Sequence, residues 1–219
     1  MIPRLSPLGD AALLIKLGDQ IDARINQQVH ALDARLRQHQ HAGVIELVPA
    51  YASLLVHYDP LALTLAQVSE WVNTEASEMG EAPAQQGHRI EVPVRYGGEE
   101  GPDLAAVAAL HNMSPQEVAR NHAGRDYIIY MMGFTPGFPY MGILDEAIAT
   151  PRLAAPRTRV PAGAVGIAGR QTGIYPIESP GGWQIIGRTS LPLFDLNSEQ
   201  PFLFPPGDRV RFVIEALNA

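Results

Sequence analysis

One stretch constrains the fold more than any other: Gly133 to Gly187, GFTPGFPYMGILDEAIATPRLAAPRTRVPAGAVGIAGRQTGIYPIESPGGWQIIG. It is about a quarter of the chain but holds 10 of the 20 glycines and 7 of the 19 prolines. Glycine admits positive φ and close backbone approach, and proline fixes φ and withholds a donor, so such density implies many tight, specified corners. The apolar residues between the corners, among them Val160, Val165, Ile167, Ile174, Trp183 and Ile186, exclude a flexible linker. Short strands joined by sharp turns are the solution, which predicts a small β-barrel.

The same stretch is basic on an acidic protein. Between Ala147 and Phe194 stand Arg152, Arg157, Arg159, Arg170 and Arg188 against the single acid Glu178, whereas the whole chain carries a net charge of -7. Two readings follow. The guanidinium forks form a site for a small anion, a carboxylate or phosphate, or they bridge loops to backbone carbonyls.

Composition removes several function classes. There is no cysteine, hence no disulfide framework, thiolate metal site or cysteine nucleophile. Lys16 is the only lysine and lies in a strand-like segment, so no phosphate-loop lysine exists, and because no carboxylate is spaced to join the histidines as ligands, no metal site is expected. A net acidic chain without a basic stripe is a poor nucleic-acid binder. The opening residues lack the basic and apolar pattern of a leader, and no apolar run reaches the ~20 residues of a membrane span, so a cytoplasmic protein is expected.

Read in order, Arg4 to Leu17 is a strand pair about Gly9-Asp10, and Ile21, Ile25, Val29, Leu32 and Leu36 mark a helix that stops before Gly43. Val44–Val48 and Ser53–Tyr58 are strands. Thr64-x-x-Gln67 is a capping box opening a helix with Leu65, Val68 and Val72 as its buried stripe. With a strand at Arg89–Val94, the order predicts an α+β layer, ferredoxin-like in style. Periodicity vanishes over Glu78–Gly87, which sets expected domains at 1–80 and 88–219, joined by a linker at 81–87. In the second part Asp103 is placed to cap a short helix, and Ser114-Pro115-Gln116-Glu117 opens another by a capping box. Tyr127–Met132, Phe202–Phe204 and Arg209–Ile214 read as strands.

A search for catalytic groups gives an uneven inventory. The barrel stretch offers hydroxyls but no histidine, and Ser179-Pro180-Gly181-Gly182 is a turn rather than a nucleophile elbow. His122, at the end of a capped helix, reads either as a general base or proton donor or as a partner for late helix carbonyls. Phe134, Phe138, Tyr140, Met141 and Trp183 suit a partner surface, with a core role as the default for Phe134 and Trp183. The chain therefore reads as half of an active site.

Asp10, VPAYASLLVHYDP (Val48–Pro60), GFTPGFPYMG (Gly133–Gly142), the Thr150–Pro176 motif and SPGGWQIIGRT (Ser179–Thr189) resemble the family of the 5-oxoprolinase B subunit, also described as allophanate hydrolase subunit 1 or Kip-inhibitor-like proteins. The resemblance covers nearly the whole chain. It implies an α+β amino-terminal domain followed by a mainly-β, cyclophilin-like barrel. It also implies two partners, the A and C subunits of 5-oxoprolinase, the latter a second barrel protein similar to allophanate hydrolase subunit 2. Together they open 5-oxoproline to L-glutamate with ATP, whose binding to this chain is left open. On this reading Arg157, Arg159, Arg170 and Arg188 are anion binders, Gln171 and Thr172 orient the substrate by hydrogen bonds, and His122 carries a proton. Three other readings stay open: inhibition of a sensor histidine kinase, carboxyl transfer involving urea or allophanate, and prolyl isomerisation, the last resting on barrel shape only.

Overall fold

The computed structural model describes residues 3–80 and 87–218, and the chain divides into two compact units, Met1–Gln85 and Gln86–Ala219. The linker expected at 81–87 lies, but for Gly87, outside the described residues.

In the first unit β1 (Arg4–Pro7), β2 (Ala12–Lys16), β3 (Val44–Pro49) and β4 (Ser53–Tyr58) form one antiparallel sheet in the order β1-β2-β4-β3. Helix α1 (Ala23–Gln38) begins at Asp22, whose carboxylate accepts from the N–H groups of Arg24 and Ile25 and so satisfies two free donors. Its buried face is Val29, Leu32 and Leu36, joined by Asn26, whose Nδ2 donates to the carbonyls of Ala50 and Tyr51. Ile21, expected within the helix, precedes the cap and is exposed. Helix α2 (Leu65–Ser77) opens with the predicted Thr64–Gln67 capping box, and Val68 and Val72 are buried, but Leu65 sits in the first turn on the exposed side. These side chains pack on Leu13, Ile15, Leu54 and Val56, each fully buried Leu, Ile or Val contributing about 1.5–3 kcal/mol.

The strand expected to complete this layer does not join it. β5 (Arg89–Gly97) belongs to the second unit, where it runs parallel to β13 (Arg209–Asn218) from Arg89↔Arg209 to Gly97↔Asn218. Chain-end pairing of this kind closes the unit upon itself. With β6 (Asp126–Met132), β7 (Pro139–Gly142), β9 (Ala164–Ala168), β10 (Gln171–Ile174) and β12 (Gln184–Arg188) they make a closed barrel in the order β10-β7-β6-β13-β5-β12-β9. Closure removes the exposed edges that short strands would otherwise present. β8 (Arg157–Val160) and β11 (Ser179–Gly181) pair separately. Phe202–Phe204 is not a strand; it makes a single bridge, from Phe202 to Phe194.

Helices α3 (Leu104–Leu110) and α4 (Pro115–Ala123) pack Leu104, Val107, Val118 and Ala119 into the barrel core beside Val92, Ile129 and Phe212. The Ser114–Glu117 capping box forms as the sequence predicts. Asp103 occupies the N-cap position of α3, but its side chain makes no capping hydrogen bond. Its carboxylate turns instead to Ile185 N–H and to Arg157, a stronger pairing than an end-of-helix amide offers. Gly163 shows why the corner glycines are needed: its φ is +81° and a Cβ there would lie 2.1 Å from the Thr189 carbonyl oxygen.

Candidate functional site

The sequence-predicted residues do not gather at one place. His122 and Thr172 come together, but in the barrel interior, where neither exposes any surface. Tyr96 Oη lies 2.7 Å from His122 Nδ1, His122 Nε2 lies 2.8 Å from Thr172 Oγ1, and Thr172 Oγ1 donates to the Gly166 carbonyl at 3.1 Å. Because the Thr172 proton is committed to that carbonyl, Nε2–H donates to Thr172 and the bare Nδ1 accepts from Tyr96. The imidazole is therefore neutral. Burial, uncompensated by any carboxylate, holds its pKa down to about 3. Tyr127 Oη donates to the His122 carbonyl, and the imidazole centroid lies 4.4 Å from that of the Phe212 ring. The histidine thus ties α4 to β5 and β10, strands three steps apart round the barrel. With both nitrogens occupied and no surface exposed, it presents no lone pair to a ligand.

The arginines separate into braces and free cations. Arg157 Nη2 donates to Asp103 Oδ1 at 2.6 Å, while Asp103 Oδ2 accepts from Ile185 N–H at 2.6 Å, which fastens β8 and β12 to the start of α3. Arg159 pairs with Glu178 at 2.6 Å on the surface. Arg188 donates to the Ala162 carbonyl at 2.8 Å, fixing a corner. These are the loop-bridging roles that the sequence left open. Arg170 is exposed, and its backbone carbonyl accepts from Leu144 N–H. Gln171 opens β10 opposite Ala168 and Gly142. None of these five side chains is among those lining the cleft described next.

That cleft lies outside the barrel wall and encloses a volume of about 250 Å³. Phe138, Tyr140, Tyr175 and Trp183 form its aromatic wall, Phe134 stands at its mouth, and Arg152 supplies its cation. Phe138 is the hub, with its ring centroid 4.9 Å from Tyr140, 5.1 Å from Tyr175 and 5.5 Å from Trp183, in tilted or edge-on geometry. Phe138 and Trp183 are buried, at 1% and 5% exposure, so the wall is rigid. The Arg152 guanidinium carbon sits 5.9 Å from the Trp183 ring centroid. Among the described residues Arg152 makes no ion pair.

Sequence supplies these positions by local turn chemistry. Pro180, Gly181 and Gly182 bring the chain against Tyr175 so closely that a Cβ on Gly181 would lie 2.3 Å from the tyrosine oxygen. Phe134 takes φ +63°, a conformation that a non-glycine residue holds at a cost of about 1–3 kcal/mol, and it is 59% exposed. The core role that was its default is therefore wrong, whereas for Trp183 it is right. Burial raises the pKa of both Tyr140 and Tyr175 above the ordinary value, so their hydroxyls stay protonated near neutrality. No carboxylate or imidazole lines the cleft among the described residues. It can hold a compact ring, neutralise one negative charge and hydrogen-bond an acceptor, but it contains no base. Arg152 was visible in the sequence as one of five arginines. What sets it apart, its place on the aromatic cleft without an acid partner, is a property of three dimensions.

A larger, shallower groove of about 850 Å³ runs between Gly133–Gly137 and residues 199–206, with Phe134 and Phe202 on its rim. Among the described residues no group of histidine, aspartate or glutamate could hold a metal ion.

Residues 3–204 match the family model for the carboxyltransferase domain, subdomain C and D. The chain is 42% identical over 220 residues to the 5-oxoprolinase B subunit of Bacillus subtilis (strain 168), spanning 96% of this chain and 92% of that protein. It is 41% identical over 218 residues to the 5-oxoprolinase B subunit of Haemophilus influenzae, spanning 97% and 98% respectively. The crystal structure of TTHA0988 superposes with a TM-score of 0.82 at 38% identity, covering 93% of this chain. This chain spans 40% of the length of that one.

Proposed function

The chain belongs to the family of the 5-oxoprolinase B subunit, and from that premise we propose that it is the corresponding component of an ATP-consuming hydrolase that opens 5-oxoproline to L-glutamate. The observation that carries this reading is the 42% identity along almost the full length of both chains. The assembly consists of this chain, a second barrel protein of the C type and a third, A-type component. In TTHA0988 more than half of the polypeptide lies outside the matched region, which supports a companion to this unit. The exposed apolar side chains Phe134, Leu196, Phe202 and Leu203 supply surface for one. We place the protein in the cytoplasm. No helix among the described residues is long and apolar enough to cross a membrane. The first unit we describe as a ferredoxin-like layer and the second as a cyclophilin-like barrel; the sheet order β1-β2-β4-β3 and the closed seven-stranded barrel support those descriptions.

The chemistry favours a divided site. A five-membered lactam is a stable amide, and phosphorylating its oxygen makes that oxygen a leaving group before water attacks, a route that needs charge clamps and positioning more than a strong nucleophile. This chain supplies positioning. Its residues do not fit a nucleotide: the only lysine, Lys16, pairs with Asp19, and the cleft carries one guanidinium and no metal ligand. ATP is therefore assigned to a partner protein, as is proton transfer, because the histidine expected to carry it is sealed in the interior. We assign His122 and Thr172 to holding the barrel, and Arg157, Arg159 and Arg188 to bracing its corners. Gln171 opens the barrel strand β10, and we assign the exposed Arg170 beside it to orienting a partner.

The test is reconstitution. With all three components present, 5-oxoproline-dependent ATP hydrolysis is expected, and leaving out this chain abolishes it. Undiminished turnover without the chain would refute the assignment.

A further inference from the structure

We propose that the aromatic cleft is the pocket for a small cyclic carboxylate, with Arg152 as the clamp on its carboxylate and Trp183 and Phe138 as the surface against which its ring lies. The proposal rests on the 5-oxoprolinase reading, which supplies 5-oxoproline as the ligand of that class, and it adds where on this chain the ligand sits.

Size is the first argument. At about 250 Å³ the cleft falls below the ~300–1,000 Å³ of sites for drug-sized ligands, so it takes one compact ring and little more. Rigidity is the second. Phe138 and Trp183 are almost fully buried, and Phe138 contacts every other ring of the wall, so ligand binding does not have to order them.

Charge decides the class of ligand. Arg125, Arg157 and Arg159 each have a carboxylate partner, but Arg152 has none among the described residues, and its guanidinium lies over the edge of an aromatic pocket with no acid in its lining. An uncommitted cation beside an apolar wall selects a ligand that is apolar on one side and anionic on the other. A ring without charge, such as a proline within a polypeptide, fits the volume but leaves Arg152 unused. The Tyr175 hydroxyl borders the same space and stays protonated near neutrality, so the cleft can donate to a carboxylate or carbonyl oxygen. Because the lining contains no base, a carboxylate held at Arg152 leaves the lactam to be attacked by groups from outside the cleft.

The experiment measures steady-state kinetics in 5-oxoproline for the reconstituted complex carrying Arg152→Ala, Arg152→Gln or Arg152→Lys. KM rises about tenfold or more in the first two, as expected for loss of a charge-assisted hydrogen bond, with kcat little changed, and Arg152→Lys recovers part of the loss. Cyclopentanecarboxylate, which keeps ring and charge but lacks the lactam, competes with 5-oxoproline in the unmodified complex and loses about tenfold in potency against Arg152→Ala. 2-Pyrrolidone, which lacks the carboxylate, inhibits both equally. If KM and the potency of cyclopentanecarboxylate are unchanged in the variants while activity still requires this chain, the cleft assignment falls and the 5-oxoprolinase reading stands. If activity survives omission of the chain, the 5-oxoprolinase reading falls first. If neutral N-acetylprolinamide competes better than cyclopentanecarboxylate, the cleft serves a polypeptide and the proposal is overturned.

Discussion

Two polar regions of the barrel unit are built from similar residues and behave in opposite ways. Around His122, Tyr96 and Thr172 satisfy both ring nitrogens, Tyr127 satisfies the residue's backbone carbonyl and Thr172 passes its proton to the Gly166 carbonyl, all out of reach of solvent. Around Arg152, two tyrosines and a tryptophan stand beside a cation that has no acid partner among the described residues. Burial with complete pairing marks a brace, because buried polar groups are costly unless partnered and a partnered group has nothing left for a ligand. An exposed cation set against a buried aromatic wall, without an acid partner among the described residues, marks a place to look for one.

The largest effect that bears on this contrast is expected at His122. His122→Ala removes a buried ring and strands Tyr96 and Thr172, so the barrel should lose about 3–5 kcal/mol in urea denaturation. A change below about 1 kcal/mol would show that the interior network is not holding the fold.

The pH dependence of stability sharpens the same point. In the folded chain the His122 pKa is about 3, below the unfolded value near 6.5, so the unfolded state takes up the proton first. Its contribution is therefore fully present above pH ~6.5 and falls by up to about 1.4 kcal/mol per pH unit as pH drops toward 3. Glu75, whose pKa is lowered by its hydrogen bond to His39 and by Arg35, adds a loss only below the ordinary glutamate range. Denaturation series between pH 7 and pH 5 isolate the histidine, and His122→Phe should flatten that window.

A smaller effect is expected at Arg157. Arg157→Ala releases the buried Asp103 carboxylate from its cation, for a loss of about 2 kcal/mol after allowance for the partial exposure of the arginine. Arg159→Ala, which breaks an exposed pair with Glu178, should change stability by less than about 0.5 kcal/mol and leave turnover untouched. A kinetic effect at Arg159 without a stability effect would move the anion site out of the cleft.

Much of the fold was legible because its signals are local. The two capping boxes, the stripe of Val29, Leu32 and Leu36, and the cornered barrel all rest on spacing or on glycine and proline. What sequence misplaced depends on distant partners. Asp103 has the position of a helix cap but is drawn to Arg157 and Ile185, and the strand at Arg89 pairs with β13, more than a hundred residues away. The candidate site suffered most, because an arginine that bridges loops and one that waits for a ligand look alike in a sequence. Arg157 and Arg188 look like anion binders in the sequence, whereas in the fold Arg157 holds Asp103 and Arg188 holds the Ala162 carbonyl.

Arg152 and Arg157, five positions apart, therefore provide the most direct test: the urea midpoint of each alanine variant and its KM for 5-oxoproline in the reconstituted complex. Arg157→Ala is predicted to lower the midpoint, while Arg152→Ala leaves the midpoint within error and raises KM about tenfold or more. The reverse result, a silent Arg152 and an Arg157 that changes KM at full stability, would contradict the division of this barrel into a braced interior and an open anion cleft.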